Sequence, residues 1–191
     1  AKKLSGAARV IAFEPSFVNL SALYHNIALN ELTSEITPLP IALSNTSGLG
    51  RFNLRDLEPG TGEHLLEADA PGGATRYTQP VITYRLDDVI QLLDLPVPNH
   101  IKLDVDGCEL EVLEGAAQTL ESSALKSMLV EVNAEVSERV VAFIEARGLT
   151  LSWRARIRSK SGVYRVWYGV FLRVPQEQLV LPTQPAAEVV T

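Results

Sequence analysis

The segment Ile101–Glu109, with the sequence IKLDVDGCE, decides how the chain is expected to fold. Its apolar residues predict a buried strand over 100–105, and the Asp-Gly pair that follows turns the chain into a helix predicted over 109–120. In an open α/β sheet, ligands bind beyond the carboxyl ends of the strands, which is where Asp104 and Asp106 fall. The segment therefore predicts a ligand site at one edge of a sheet.

Short apolar runs alternate with helical patterns along most of the chain. Strands are predicted at 9–13, at 36–43 with breaks at Pro38 and Pro40, and at 81–84, 100–105 and 128–132, and helices at 16–29, 86–93, 109–120 and 137–147. Asp87 and Asp88 would lie in the first turn of a short helix and favour its dipole. Two long alternating segments, 149–157 and 164–174, predict a terminal β-hairpin turning at 159–162. This order predicts an α/β fold with a mostly parallel sheet, in one domain over 1–174 with a loose tail at 175–191.

Composition and charge limit the classes of partner. The chain has 191 residues and a net charge of −6, which opposes non-specific binding to nucleic acid or anionic lipid. Its apolar runs are far shorter than the roughly 20 residues of a membrane span. The single cysteine, Cys108, excludes an internal disulfide and indicates a reducing compartment, so we predict a cytoplasmic protein. The scattered histidines predict no metal site.

Carboxylates follow two of the predicted strands. Asp104 and Asp106 alternate onto the same side of their strand, an arrangement that suits proton handling or contact with a cationic ligand. Alternatively, Asp106 caps the next helix. Glu14 follows the first strand, where a carboxylate can accept hydrogen bonds from ribose hydroxyls or can simply stabilise a turn.

Five blocks of sequence resemble, in order, the FkbM-type methyltransferases. They are Phe13–Ser16 with Asn26–Asn30, Ala42–Gly48, Leu86–Val89, Ile101–Ala116 and Val130–Val132. The resemblance implies a Rossmann-like class I methyltransferase sheet, mostly parallel with a C-terminal antiparallel hairpin. It also implies S-adenosylmethionine as methyl donor, and a small-molecule acceptor, usually a hydroxyl oxygen of a sugar or natural product.

The resemblance also assigns site residues. Glu14, with Pro15 and Ser16, would hold the ribose of the donor, and Leu43, Ser44 and Asn45 would lie by the adenine. Asp104 would face the methionine end and the reacting centre, and Asp106 would also bind the donor. Asp104 would also be the catalytic residue, although His64 in the loop predicted over 55–79 is an alternative base. Asp106 stands where the family usually has glutamate.

One departure from the family concerns the start of the chain. The family's first strand and glycine-rich loop have no counterpart, so the sequence is expected to be an N-terminally incomplete fragment. A truncated or degenerate interaction domain without catalysis is therefore an alternative. A nicotinamide-dependent oxidoreductase is another, since Glu14 could serve the ribose of that cofactor. The sequence leaves the oligomeric state open, with a homo-oligomer among the alternatives.

Overall fold

A computed structural model describes residues 8–60, 65–66, 75–158, 166–173 and 187–190. Contacts divide the chain into two compact units, Ala1–Tyr84 and Arg85–Thr191, which are described in turn. A single domain over 1–174 stays a prediction. Within the described ranges, no helix is both long enough and apolar enough to cross a membrane.

The first unit begins with a parallel β-α-β arrangement, as the sequence predicts. Strand β1 (Val10–Phe13) is followed by helix α1 (Phe17–Leu29) and strand β2 (Ile36–Leu39), and the two strands pair in parallel. The helix begins after Ser16 because the side-chain oxygen of this residue accepts a hydrogen bond from the backbone N–H of Asn19. The Ser16 cap fixes where the chain leaves the carboxyl end of β1.

The strand predicted over 36–43 is divided in the structure, with Pro40 between β2 and β3 (Ala42–Leu43). Strand β3 belongs to a different sheet, together with β4 (Gly48–Leu54), β5 (Leu65–Leu66) and β6 (Tyr77–Tyr84), in the order β3-β6-β4-β5. Proline lacks the N–H that a continuous ladder would need, so the break is expected on physical grounds. The core of this sheet contains Ala42, Phe52, Leu54 and Val81, with Leu66 packed against it.

The second unit is a mixed sheet with helices. Its elements are α2 (Leu86–Leu92), β7 (His100–Leu103), α3 (Glu109–Gly115), α4 (Ala117–Glu121), β8 (Ser127–Asn133), α5 (Ser137–Glu145), β9 (Thr150–Arg158), β10 (Val166–Leu172) and β11 (Ala187–Val190). The strands are ordered β11-β9-β10-β8-β7. Strands β7 and β8 pair in parallel, whereas β10 is antiparallel to both β8 and β9. The predicted antiparallel strand pair is thus confirmed, and its turn at 159–162 lies outside the described residues.

The helix predicted over 109–120 is two helices, α3 and α4, that meet at Ala116. The carboxylate of Asp87, on α2, accepts hydrogen bonds from the backbone N–H groups of Gln118 and Thr119. These N–H groups lie in the first turn of α4, where a helix has no internal acceptors for them. Asp87 therefore stabilises the start of α4, in addition to its favourable interaction with the dipole of its own helix, α2.

Strand β8 forms the centre of the core of this unit. Met128, Val130 and Val132 are fully buried, while Leu129 and Glu131, which alternate with them, are half-buried on the other face. Burying each such aliphatic side chain contributes about 1.5–3 kcal/mol. Because a strand alternates its side chains between two faces, packing of the apolar set fixes where Glu131 points.

Part of the segment predicted as a loose tail is ordered. Ala187–Val190 form β11, which pairs in parallel with the segment Ala155–Arg158 of β9. The free edge of β9 offers a row of backbone donors and acceptors, so a short extended segment can pair there regardless of its composition.

Candidate active site

Carboxylates from β7 and β8 meet at the carboxyl edge of the second unit. Leu103 pairs with Val130 in the parallel ladder, and the next residues along the two strands are Asp104 and Glu131. The two carboxyl groups therefore extend from neighbouring strands at the same edge, and the charge of Asp104 adds to the effect of burial in raising the pKa of Glu131. The sequence places Asp104 at this edge, and the structure adds Glu131 as its partner.

Tyr168 faces Glu131 from the neighbouring antiparallel strand. The two residues are directly opposite in the register of β10 with β8, so the Tyr168 phenol can donate a hydrogen bond to the Glu131 carboxylate. This hydrogen bond is the main reason that the pKa of Tyr168 is raised. Burial raises the pKa of Glu131, as does the charge of Asp104, whereas the hydrogen bond from Tyr168 lowers it.

Glu109 places a further carboxyl group beneath the turn that follows β7. Its side chain is 2% exposed, and Oε1 accepts a hydrogen bond of 3.2 Å from the backbone N–H of Gly107. Oε2 is buried and has no hydrogen-bond partner among the described residues. Burial raises the pKa of Glu109, with smaller contributions from the charges of Glu131 and Asp106. A neutral, protonated carboxyl group is the form that such burial favours.

Gly107 makes this turn possible. Its φ of +85° lies in the left-handed region, which glycine adopts without the steric cost that a Cβ would bring. Cys108, not Asp106, is the N-cap of α3, so the alternative in which Asp106 caps this helix is wrong. The turn leaves Asp106 exposed near Glu131 and Glu109.

Lys102 is paired with Asp104. Its Nζ lies 2.5 Å from Asp104 Oδ2, and both side chains are well exposed, at 61% and 38%. Residues two apart on a strand share a face, which explains the contact. An exposed pair contributes little to stability, about 0–1 kcal/mol, so its effect is mainly to orient the Asp104 carboxylate.

The predicted ribose-binding segment lies at the carboxyl end of β1, in the first unit. The Glu14 carboxylate accepts a hydrogen bond of 2.9 Å from the backbone N–H of Ser16, which lowers the pKa of Glu14, while burial raises it more strongly. Gln79, on β6, stabilises the turn between β1 and α1 through two hydrogen bonds. Its side chain donates to the Pro15 carbonyl at 2.7 Å and accepts from the Phe17 N–H at 3.1 Å. Glu14 is thus held by a rigid turn.

The predicted adenine-binding segment follows β3 in the same unit. Ser44 is buried, its backbone N–H donates to the Tyr84 carbonyl at 3.0 Å, and its hydroxyl donates to Asn45 Oδ1 at 3.5 Å. Leu43 is half-buried and Asn45 is exposed. These residues therefore present a polar edge next to one apolar side chain.

The structure brings together Asp104 and Asp106 in the second unit, whereas Glu14, Pro15, Ser16, Leu43, Ser44 and Asn45 lie in the first. The binding roles assigned to all of them stay predictions, and His64 lies outside the described residues. Glu109 and Tyr168 are not predicted by the sequence. Glu109 lies inside the segment Ile101–Glu109, but no sequence pattern shows that its carboxyl group is buried. Tyr168 becomes part of the site only through the strand register.

Among the described residues, no group of three or more histidine, cysteine, aspartate or glutamate side chains is arranged to hold a metal ion. The described part of the site thus offers carboxyl groups and one phenol. Such groups accept hydrogen bonds from hydroxyls, attract cations and transfer protons.

Alternating strands and helices, with polar side chains at the carboxyl edge of a sheet, define this chain as an α/β protein with a site of the kind that holds small-molecule ligands. Residues 1–156 match the model of the methyltransferase FkbM domain. The chain therefore belongs to the FkbM methyltransferase family.

A relative agrees with this assignment, and a solved structure shares the fold. The chain is 30% identical over 137 residues to the hexuronic acid methyltransferase AglP of Haloferax volcanii, a match that covers 72% of this chain and 52% of the relative. The chain thus spans about half the length of that relative. Its mixed α/β fold is similar to the crystal structure of methyltransferase FkbM from Methylobacillus flagellatus KT, with a TM-score of 0.52, 16% identity and coverage of 84% of this chain and 36% of that one.

Proposed function

We propose that the chain carries out S-adenosylmethionine-dependent methyl transfer to a hydroxyl oxygen of a sugar or another natural-product small molecule. The observation that carries the proposal is the carboxyl cluster of Asp104, Asp106 and Glu131 at the edge of the second unit, in a chain of a methyltransferase family. The hexuronic acid methyltransferase among its relatives supports a sugar as acceptor. The net charge of −6 supports a small molecule over nucleic acid or a membrane surface.

In this proposal the fold is of the Rossmann-like class I methyltransferase type, and several side chains contact the donor. Glu14 accepts hydrogen bonds from the ribose hydroxyls, and Leu43, Ser44 and Asn45 lie by the adenine. The carboxylates of Asp104 and Asp106 face the cationic methionine end. The residues present fit such a ligand, because a carboxylate has lone pairs for several hydrogen bonds and, within the described part of the chain, Glu14 accepts one from Ser16.

The donor supplies an activated methyl group on a sulfonium centre. The chain's own residues then have two tasks, namely to align the acceptor oxygen with the methyl group and to accept the proton of the acceptor hydroxyl. A carboxylate at the position of Asp104 can do both, because Lys102 orients it and its side chain is 38% exposed toward an incoming acceptor.

Isothermal titration calorimetry with S-adenosylmethionine, S-adenosylhomocysteine and NAD tests the donor. We expect binding of the first two and not of NAD. Glu14→Ala should weaken binding about 10- to 100-fold, because a hydrogen bond to a charged group contributes about 1.5–3 kcal/mol. Glu145→Ala, which changes an exposed carboxylate on α5, is the matched control and should leave the affinity unchanged. Binding of none of the three ligands, or of NAD alone, would overturn the proposal.

Product analysis tests the acceptor. The chain is incubated with labelled S-adenosylmethionine and a panel of hexuronic acids and neutral sugars, and the product is examined by nuclear magnetic resonance. We expect a methyl ether on a sugar hydroxyl. A methyl ester on a hexuronic carboxylate would overturn the hydroxyl assignment, because a carboxylate acceptor has no proton to lose.

A further inference from the structure

Glu131 occupies a position that differs from every other carboxylate of the site. It lies on β8 between two partners, with the Asp104 carboxyl on one side and the Tyr168 phenol on the other. The first partner follows the parallel neighbour β7, and the second is on the antiparallel neighbour β10. The ladders on both sides of β8 therefore hold Glu131 in place, which preorganises its carboxylate for chemistry.

A second observation marks the same place as a site. Glu109, 2% exposed, has a buried carboxyl oxygen, Oε2, without a hydrogen-bond partner among the described residues, and its carboxyl group interacts electrostatically with those of Glu131 and Asp106. A buried polar atom without a partner is costly, and proteins keep such atoms mainly where they serve a function. Its proximity to the charges of Glu131 and Asp106 places this atom at the carboxyl cluster.

We propose that Glu131 is the carboxylate that receives the proton of the acceptor hydroxyl, as one member of a pair with Asp104, and that Tyr168 is its positioning residue. The inference rests on the proposed methyl transfer. In the step, the acceptor oxygen forms a bond to the methyl carbon while the carbon–sulfur bond breaks and its electron pair goes to sulfur. The hydroxyl proton passes to the pair and comes to rest on Glu131, hydrogen-bonded to Asp104.

Electrostatics explains why the pair is a better base than either carboxylate alone. When both members are ionised, their mutual repulsion favours the uptake of one proton, and a hydrogen bond between the two groups can form once that proton is bound. Asp106 adds negative charge in the same direction, whereas the Tyr168 phenol and Lys102, through its contact with Asp104, oppose it. A base whose pKa lies nearer to neutral pH removes a hydroxyl proton more effectively than an ordinary glutamate.

This arrangement predicts that two substitutions shift the pKa of Glu131 in opposite directions. Tyr168→Phe removes a hydrogen bond that favours the ionised form, so the pKa of Glu131 should rise. Asp104→Asn removes the neighbouring negative charge, so the pKa of Glu131 should fall. The measurement is the carbon-13 carboxyl shift of labelled glutamate in the whole chain, titrated over about pH 4 to 9. Tyr24→Phe, at an exposed position on α1, is the matched control and should shift nothing.

The titration needs neither donor nor acceptor, so it tests the pair independently of the proposed function. The inference would be overturned if Glu131 titrated in the ordinary glutamate range. It would also be overturned if Tyr168→Phe and Asp104→Asn shifted the pKa of Glu131 in the same direction. A Tyr168 with a merely structural role would lower stability without this pattern of opposite shifts.

Kinetics with an acceptor identified from the sugar panel tests the catalytic assignment. Glu131→Gln should lower kcat by about 100-fold or more while leaving the affinity for S-adenosylmethionine within about threefold. The acid limb of the kcat profile should move to higher pH in Tyr168→Phe and to lower pH in Asp104→Asn. Full activity of Glu131→Gln would overturn the assignment. Absence of donor binding by the wild-type chain would instead overturn the proposed function, and with it the catalytic role of Glu131.

Discussion

Asp87 is expected to be among the residues on which the stability of the second unit depends most strongly. Its carboxylate is 4% exposed and accepts three hydrogen bonds, from the Gln118 N–H at 3.0 Å, the Thr119 N–H at 2.9 Å and the Thr119 hydroxyl at 2.7 Å. The Arg85 guanidinium is 3.9 Å away, too far for a strong ion pair. The carboxylate thus joins α2 to the first turn of α4.

Replacing Asp87 with alanine leaves three donors without their acceptor, two of them on the buried Thr119 and one on Gln118. Each buried donor without a partner costs about 1–3 kcal/mol, and partial relaxation recovers some of the sum, so we expect a loss of about 3–5 kcal/mol in the free energy of unfolding. That is a large part of the roughly 5–15 kcal/mol typical of a folded protein. Thr119→Val, which keeps the shape and removes the hydroxyl, should cost about 1–2 kcal/mol.

Urea denaturation followed by tryptophan fluorescence measures this loss selectively, because both tryptophans of the chain, Trp153 and Trp167, lie in the second unit. The midpoint for Asp87→Ala should fall by about 1–3 M. Gln91→Ala, at an exposed position on the same helix α2, is the matched control and should change the free energy of unfolding by less than about 0.5 kcal/mol.

A double-mutant cycle decides whether Asp87 acts through Thr119. In the Asp87→Ala background, Thr119→Val should cost almost nothing, because the hydroxyl has already lost its acceptor. Strict additivity of the two losses, or a cost below about 1 kcal/mol for Asp87→Ala alone, would refute this account of the contact.

Three further predictions concern other parts of the second unit. Gly169→Ala should lower the free energy of unfolding by about 1–3 kcal/mol, because a Cβ at this position would lie 2.5 Å from the Trp167 ring. Urea denaturation followed by circular dichroism measures the loss. Gly48→Ala, where a Cβ would have no atom within 4 Å, is the control and should be nearly neutral. Burial and the charges of Glu109, Glu111 and Asp106 raise the pKa of Cys108 to about 12, so iodoacetamide should alkylate it about a thousandfold more slowly at about pH 8 than an ordinary thiol. Because burial raises the pKa of Glu109, its contribution to stability is complete below the usual glutamate pKa and is lost as pH rises through the raised value. Relative to Glu109→Gln, the wild-type free energy of unfolding should therefore fall as the pH rises from the usual glutamate pKa to the raised pKa of Glu109.

Each of these predictions has an outcome that contradicts it. A stable Gly169→Ala variant would mean that Trp167 can move away at little cost. Alkylation of Cys108 at the rate of a free thiol would show that burial and the surrounding carboxyl groups do not suppress its ionisation. Wild-type and Glu109→Gln stability curves that run parallel with pH would mean that the carboxyl of Glu109 keeps its ordinary pKa.

Local patterns in the sequence predicted much of the framework correctly. The apolar runs near β1, β7 and β8 form strands, because a short apolar run between turn residues is typical of a buried strand. Ser16 caps α1, and Gly148, with a φ of +80°, lies just beyond α5 where the helix was expected to stop. These features depend on neighbours in the sequence, so the sequence is sufficient to predict them.

The errors occurred where distant segments compete with local preference. The helix predicted over 109–120 divides because an acceptor from α2, Asp87, reaches the N–H groups at the start of α4. The strand predicted over 36–43 breaks at Pro40 as expected but not at Pro38, and the sheet that each part joins depends on partners distant in the sequence. The edge pairing of β11 with β9 has a similar origin, since a free ladder edge accepts backbone groups whatever their side chains.

For the candidate site, the sequence by itself determined that Asp104 and Asp106 follow a buried strand at the edge of a sheet, because that depends on the period of a strand and on a turn at Gly107. Only the tertiary structure decided which groups surround them. Glu131 joins Asp104 through the parallel ladder, Tyr168 joins Glu131 through the antiparallel one, and a carboxylate that looks like any helix-start glutamate, Glu109, is buried beneath the turn. Strand register and burial depend on the packing of the whole unit, and it is these that set the protonation of the carboxyl groups.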